Sequence, residues 1–116
     1  MTTDELKNLL KDFREMEIWY YFVVKQRNLE NSASGEIGET GETGKTVELL
    51  SAAMKILDER ERFIITNHLV LHYTWPAIIA KMSECFGINN SRSERTLKRI
   101  QNRALEKMLL FIGKIN

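Results

Sequence analysis

Apolar residues recur at three- and four-residue steps through most of this chain, the spacing that lines one face of an α-helix. In the first such stretch Leu6, Leu9, Leu10, Phe13, Met16, Tyr20 and Val23 or Val24 keep one side apolar. Thr2 and Glu5 stand ahead of them at capping-box spacing, which satisfies unpaired amides at a helix start. One long helix is therefore expected over residues 1–30. Between Ile18 and Val24 the chain is apolar or aromatic all round. β-Branched and aromatic residues also suit a strand, but the unbroken helical period favours helix. An isolated helix cannot bury such a girth, so it must pack on the rest of the chain or on a second copy of itself.

Residues 31–45 break the pattern. Glycines at 35, 38, 41 and 44 recur every third residue among Glu and Thr, too few triplets and no proline for a collagen helix. The composition predicts a flexible linker with a reach on the order of 20 Å.

From 46 to 116 helical punctuation returns. Val47, Leu49, Leu50, Met54 and Leu57 outline one amphipathic helix, and Asp58 is placed to cap the next, with Glu59 and Glu61 in its first turn. Phe63, Ile64, His68, Leu69 and Leu71 mark the inward side of that second helix. Thr74-Trp75-Pro76 opens a third, since proline suits a first turn where its missing N–H has no partner. Gly87 is the expected left-handed stop, Asn89 and Asn90 favour a turn, and Ser91 with Glu94 has capping-box spacing before a last helix over about 92–112. The fold class expected is all-α: a long N-terminal helix (1–30), a flexible linker (31–45) and a four-helix domain of helix-turn-helix type (46–116).

The last helix carries two faces. Leu97, Ile100, Ala104, Met108 and Phe111 form an inward seam, while Arg92, Arg95, Arg99 and Arg103 recur at the same steps a quarter-turn or more away. Guanidiniums bind phosphate oxygens bidentately and pair with guanine edges in the major groove, which admits an α-helix. The plain alternative is a solvated basic face on an ordinary amphipathic helix.

Charge sharpens that choice. A formal net charge of +1 over 116 residues hides six Lys/Arg against ten Asp/Glu in residues 1–50, net −4, and eleven against six in 51–116, net +5. A polyanion would bind the second half. One cysteine, Cys85, excludes an intrachain disulfide. No apolar run approaches the ~18 residues of a membrane span, and the acidic opening Met1-Thr2-Thr3-Asp4-Glu5 is unlike a signal peptide. A cytoplasmic protein is the expectation.

About Leu49 to Met108 the order of signals resembles region 4 of the primary sigma factors and the sigma-like late regulators of phages, the ArpU and RinA types. Leu57-Asp58-Glu59-Arg60-Glu61-Arg62 is similar to the Leu-x-x-Arg-Glu-Arg opening of that domain. Thr74-Trp75-Pro76-Ala77-Ile78-Ile79-Ala80 is similar to its Thr-x-x-Glu-Ile-Ala helix start. Phe86-Gly87-Ile88 stands where Leu-Gly-Val would precede the turn, and Arg99-Ile100-Gln101-Asn102-Arg103-Ala104-Leu105-Glu106-Lys107-Met108 resembles Gln-Ile-Glu-x-Lys-Ala-Leu-x-Lys-Leu. The helix before the turn is about one turn longer than the family's, and Ile88 to Ser93 is longer than its turn. Counted back from Ile100, the family's cap falls on Ser93, its Arg-Glu reading pair on Glu94-Arg95 in reversed order, and its Arg-Gln pair on Lys98-Arg99. The resemblance implies a groove-binding helix with a different sequence preference.

The interface expected on double-stranded DNA puts Arg95, Lys98 and Arg99 nearest base edges, and Arg92, Arg103 and Lys107 nearer phosphates. Ser91, Ser93 and Thr96 add hydroxyl or backbone contacts around Glu94 at the helix start. Sigma-like proteins also touch RNA polymerase, and the first helix could pair with its twin to give a dimer reading two half-sites. The competing reading is a protein-binding module, an inhibitor or adaptor on the same scaffold, with the aromatic first helix as its working surface.

His68 and His72, four apart, have zinc-chelating spacing but no third ligand nearby in sequence, so a structural role is expected. Cys85 beside Phe86 reads as a small core residue, and Trp75 as a core anchor. No phosphate loop, nucleophile elbow or carboxylate–histidine cluster points to an enzyme, and no cofactor is expected.

Overall fold

The computed structural model describes residues 1–30, 38–87 and 93–115, and all regular structure among them is helical. Thr2 opens the chain's first helix: its hydroxyl accepts the Glu5 N–H and donates to the Glu5 carboxylate, both at 3.2 Å. Helix α1 (Thr3–Glu30) then continues through Ile18–Phe22 without interruption, so the strand alternative does not arise. Leu6, Leu10 and Phe13 are buried, with Leu9, Met16 and Tyr20 packed at the edge.

Helix α2 spans Gly38–Lys55, which corrects the linker expected at 31–45. Residues 31–37 lie outside the described residues, and 38–45 belong to α2. Helix contact is the cause. Gly44 is buried, and a β-carbon there would clash with the edge of the Tyr20 ring. Bare backbone thus lets α1 and α2 approach closely, while the Tyr20 hydroxyl donates to Glu48 at 3.4 Å. Glycine costs a helix about 1 kcal/mol against alanine; burial of Val47, Leu50 and Ala53 on the same helix more than offsets it.

Helix α3 (Glu59–Ile65) has the capping box its sequence announces. Asp58 Oδ1 accepts the Glu61 N–H at 2.8 Å and Glu61 Oε1 accepts the Asp58 N–H at 3.0 Å. Arg62 turns back to close the end of α2, donating to the carbonyls of Met54 and Leu57 at 3.2 and 2.9 Å. The helix widens into a π-helical turn, Thr66–Val70, in which the Leu71 N–H reaches Thr66 O and the Tyr73 N–H reaches Asn67 O, both at 2.8 Å. His72 follows with a φ of 62° and takes the chain out of helical register.

Helix α4 (Trp75–Phe86) carries Pro76 in its first turn and stops at Gly87. The stop is not left-handed helical as expected: φ is 89° but ψ is 157°, a pairing open to glycine because it has no β-carbon. Its inward stripe is Trp75, Ile78, Ile79, Met82 and Phe86. Cys85 falls at the edge of that stripe and is exposed, which corrects its reading as a core residue.

Helix α5 (Glu94–Ile115) starts two residues later than expected. Ser93 caps it, its Oγ accepting the Thr96 N–H at 3.3 Å and lying 3.1 Å from the Thr96 hydroxyl. Ser91, expected as the cap, lies outside the described residues.

Two buried clusters share α5 as a spine. Leu97 joins Ile64, Ile78 and Met82 in one, ringed by Phe63, Trp75, Ile79, Phe86 and Ile100. Ala104, Leu105, Met108 and Ile112 join residues of α1, α2 and the π turn in the other. The N-terminal helix is therefore not an appended unit, because its apolar stripe is buried within the same chain. Helices α1 and α2 pack on α5 alongside α3 and α4, so the last helix is covered from several sides.

Candidate nucleic-acid interface

Once Leu97, Gln101, Ala104, Leu105 and Met108 of α5 are buried, the helical period dictates what faces water. Arg95, Arg99 and Arg103 are all exposed on the outward side, four residues apart, at steps of about 6 Å along the axis. Among the described residues no carboxylate lies within ion-pair distance of these three guanidiniums. Asn102 is exposed between them. The arginines at 95, 99 and 103 are thus found outward as expected, whereas the seam is shifted, with Gln101 and Leu105 buried beside Leu97, Ala104 and Met108 and with Ile100 and Phe111 only half-buried; Arg92 lies outside the described residues.

The other expected contacts divide. Lys98 is exposed beside the stripe and pairs with Glu94, 3.6 Å away, each side chain about half exposed. An open pair like this is screened by salt and contributes little to stability, so both groups can re-pair with a ligand. Ser93 and Thr96 are engaged in the cap. Lys107 departs from expectation, since its Nζ lies 2.8 Å from Oε2 and 3.0 Å from Oε1 of Glu61, whose side chain is only 6% exposed. Hydrogen bonding to Glu61 holds the Lys107 ammonium above its usual pKa. A carboxylate withdrawn from water needs a counter-charge, so Lys107 serves α3 rather than the outward stripe. Sequence separation of 46 residues hid that pairing.

His68 fixes the flank of the same helix. Its Nδ1–H donates to Oε1 of the buried Gln101 at 2.6 Å, and its ring stacks on Trp75 with centroids 3.9 Å apart. Burial, aided by the nearby charges of Lys11, Lys7 and Lys98, lowers its pKa although the Gln101 bond opposes this, so the ring stays neutral around pH 7. His72 does not share a helical face with His68, because the π turn ends between them. Its Nε2–H donates instead to the Lys11 carbonyl at 2.9 Å. Among the described residues no group of three His, Cys, Asp or Glu side chains is placed to hold a metal ion. Nor is any helix among them long and apolar enough to cross a membrane.

On α1 the stripe expected to pair with a second copy is occupied within the chain. What α1 turns outward is Ile18, Trp19, Tyr21 and Phe22, between 42% and 61% exposed.

Comparison of the chain with models of protein families, with curated proteins and with solved structures finds no match.

Proposed function

We propose that this protein is a sequence-specific DNA-binding regulator of transcription, of phage or mobile-element type, whose α5 enters the major groove. One observation carries the reading: three guanidiniums, with no carboxylate in ion-pair reach among the described residues, stand in a row on the open face of a helix whose opposite face is buried. A buried seam fixes their direction, which is what distinguishes a reading surface from a merely basic one. Arg95 and Arg99 face base edges in this arrangement, while Arg103 on one flank and Lys98 on the other reach phosphate. The resemblance to sigma region 4 supports the same docking and brings RNA polymerase in as a candidate partner. Selection of bound duplexes from a random pool tests the proposal. An enriched motif is expected, and Arg95→Ala or Arg99→Ala should weaken binding to it roughly ten- to a hundredfold. Absence of enrichment with a folded protein refutes it.

A second reading draws on the outward Ile18, Trp19, Tyr21 and Phe22. Four large apolar side chains on one open helical surface mark a protein contact, and a second copy of this chain is the occupant we assign to it. Sedimentation of the full chain should show a dimer that Phe22→Ser disperses. A monomer at every concentration removes this reading and leaves the DNA reading standing.

A further inference from the structure

We infer that Lys7 and Lys11 of α1 form, with Lys98 of α5, a second line of phosphate contacts, so that the N-terminal helix is part of the nucleic-acid surface. The inference rests on the DNA reading above and adds to it a binding element from the acidic half of the chain. Two hydrogen bonds tie the relevant turns to a single short segment. His68 bonds Gln101 of α5 at 2.6 Å, and His72, four residues on, bonds the backbone of Lys11 at 2.9 Å. The Lys11 turn of α1 and the Gln101 turn of α5 are thereby both held against residues 68–72. The charges of Lys11, Lys7 and Lys98 all reach the His68 ring, in keeping with that convergence.

Position around α5 shows which flank they extend. At 3.6 residues per turn, Lys98 lies about 60° from Arg95 on the side opposite Arg103, and Gln101 about 60° further the same way. A helix seated in the major groove has a phosphate strand on each side of it. Arg103 serves one strand. Lys98 serves the other, and Lys7 and Lys11, one turn apart on α1, continue its line. Lys11 is exposed, Lys7 half-buried, and among the described residues neither has a carboxylate within ion-pair distance. Asp4, Glu5, Asp12 and Glu15 give this part of the chain its acidic composition, which is why net charge alone assigned the polyanion to the other half.

Counterion release gives the test, because each phosphate neutralised on duplex DNA contributes about 0.9 to the slope of log affinity against log salt. Binding of the full chain to a fluorescent mixed-sequence duplex is followed by anisotropy across a range of potassium chloride. Replacing Lys7 and Lys11 together by Gln should lower the slope by about 1.8 and leave the selected motif unchanged. Lys7→Arg with Lys11→Arg should keep the parent slope, and if the Gln pair loses helicity, Lys11→Gln alone decides the matter by lowering the slope by about 0.9 or leaving it unchanged. A control that removes the same charge at Lys55 and Lys114 should change the slope by less than half as much. Unaltered slope in the Gln pair, with parent binding intact, overturns this inference alone. An equal fall in the control overturns it as well, since the effect is then one of net charge. If the parent binds no duplex at any salt, the DNA reading and this inference fall together.

Discussion

Leu97→Ala should loosen one end of the molecule and not the other. Leu97 is fully buried in a cluster whose remaining buried members are Ile64, Ile78 and Met82. Truncating a buried leucine costs about 2.7–5.0 kcal/mol, depending on how far the site collapses. Here half-buried Phe63, Trp75, Ile79, Phe86 and Ile100 ring the site and can settle inward, so the lower end, about 3 kcal/mol, is expected. All buried residues of α4 belong to this cluster, whereas α1 contributes only to the other. Native-state hydrogen exchange should therefore show the amides of α4 losing protection by about a hundredfold, since 1.4 kcal/mol is a factor of ten. Amides around Leu6 and Leu10 should lose much less, provided they open through a unit separate from α4. Leu105→Ala, in the larger cluster, should deprotect α1 instead. Equal loss in α1 and α4 after Leu97→Ala would refute the division, showing that α5 couples both clusters into one cooperative unit.

Asp58→Ala removes a complete capping box and should lower stability by about 1 kcal/mol, or about 4 °C in melting temperature, as measured by circular dichroism. Lys107→Met should lower the melting temperature by stranding the buried Glu61 carboxylate, and Lys107→Arg should recover most of the loss. His68 has a lowered pKa, so the unfolded chain takes up its proton first as pH falls. Stability should accordingly be level above the ordinary histidine pKa of 6.5 and decline below it. Urea midpoints at neutral and mildly acid pH measure that decline, and His68→Gln should flatten it. Ser93→Ala should destabilise α5 by the loss of its cap, visible as fraying of Glu94–Leu97 amides in the same exchange experiment.

Local rules made much of this legible in advance. Caps at Thr2 and Asp58 need only residues three apart, and proline at the start of α4 needs only its neighbours. The seam of α5 likewise follows from a fixed rotation per residue, so burying Leu97, Ala104 and Met108 settles the outward direction of Arg95, Arg99 and Arg103. Glycine at 38, 41 and 44 misled for the opposite reason. Its local preference is against helix, and tertiary packing, with Val47, Leu50 and Ala53 buried and Gly44 set against the Tyr20 ring, reverses the outcome.

Sequence by itself determined the helical period, the caps at Thr2 and Asp58 and the two-faced character of the last helix, because each depends on interactions within a turn or two of chain. Tertiary structure alone decided that the apolar stripe of α1 is covered in cis, that Glu61 takes Lys107 out of the stripe, and that the Lys11 backbone meets His72. Those facts depend on which helices lie against each other. Residues 33, 46 or 61 positions apart are brought together by burying apolar faces, and the residues at the rims of those faces meet as a consequence.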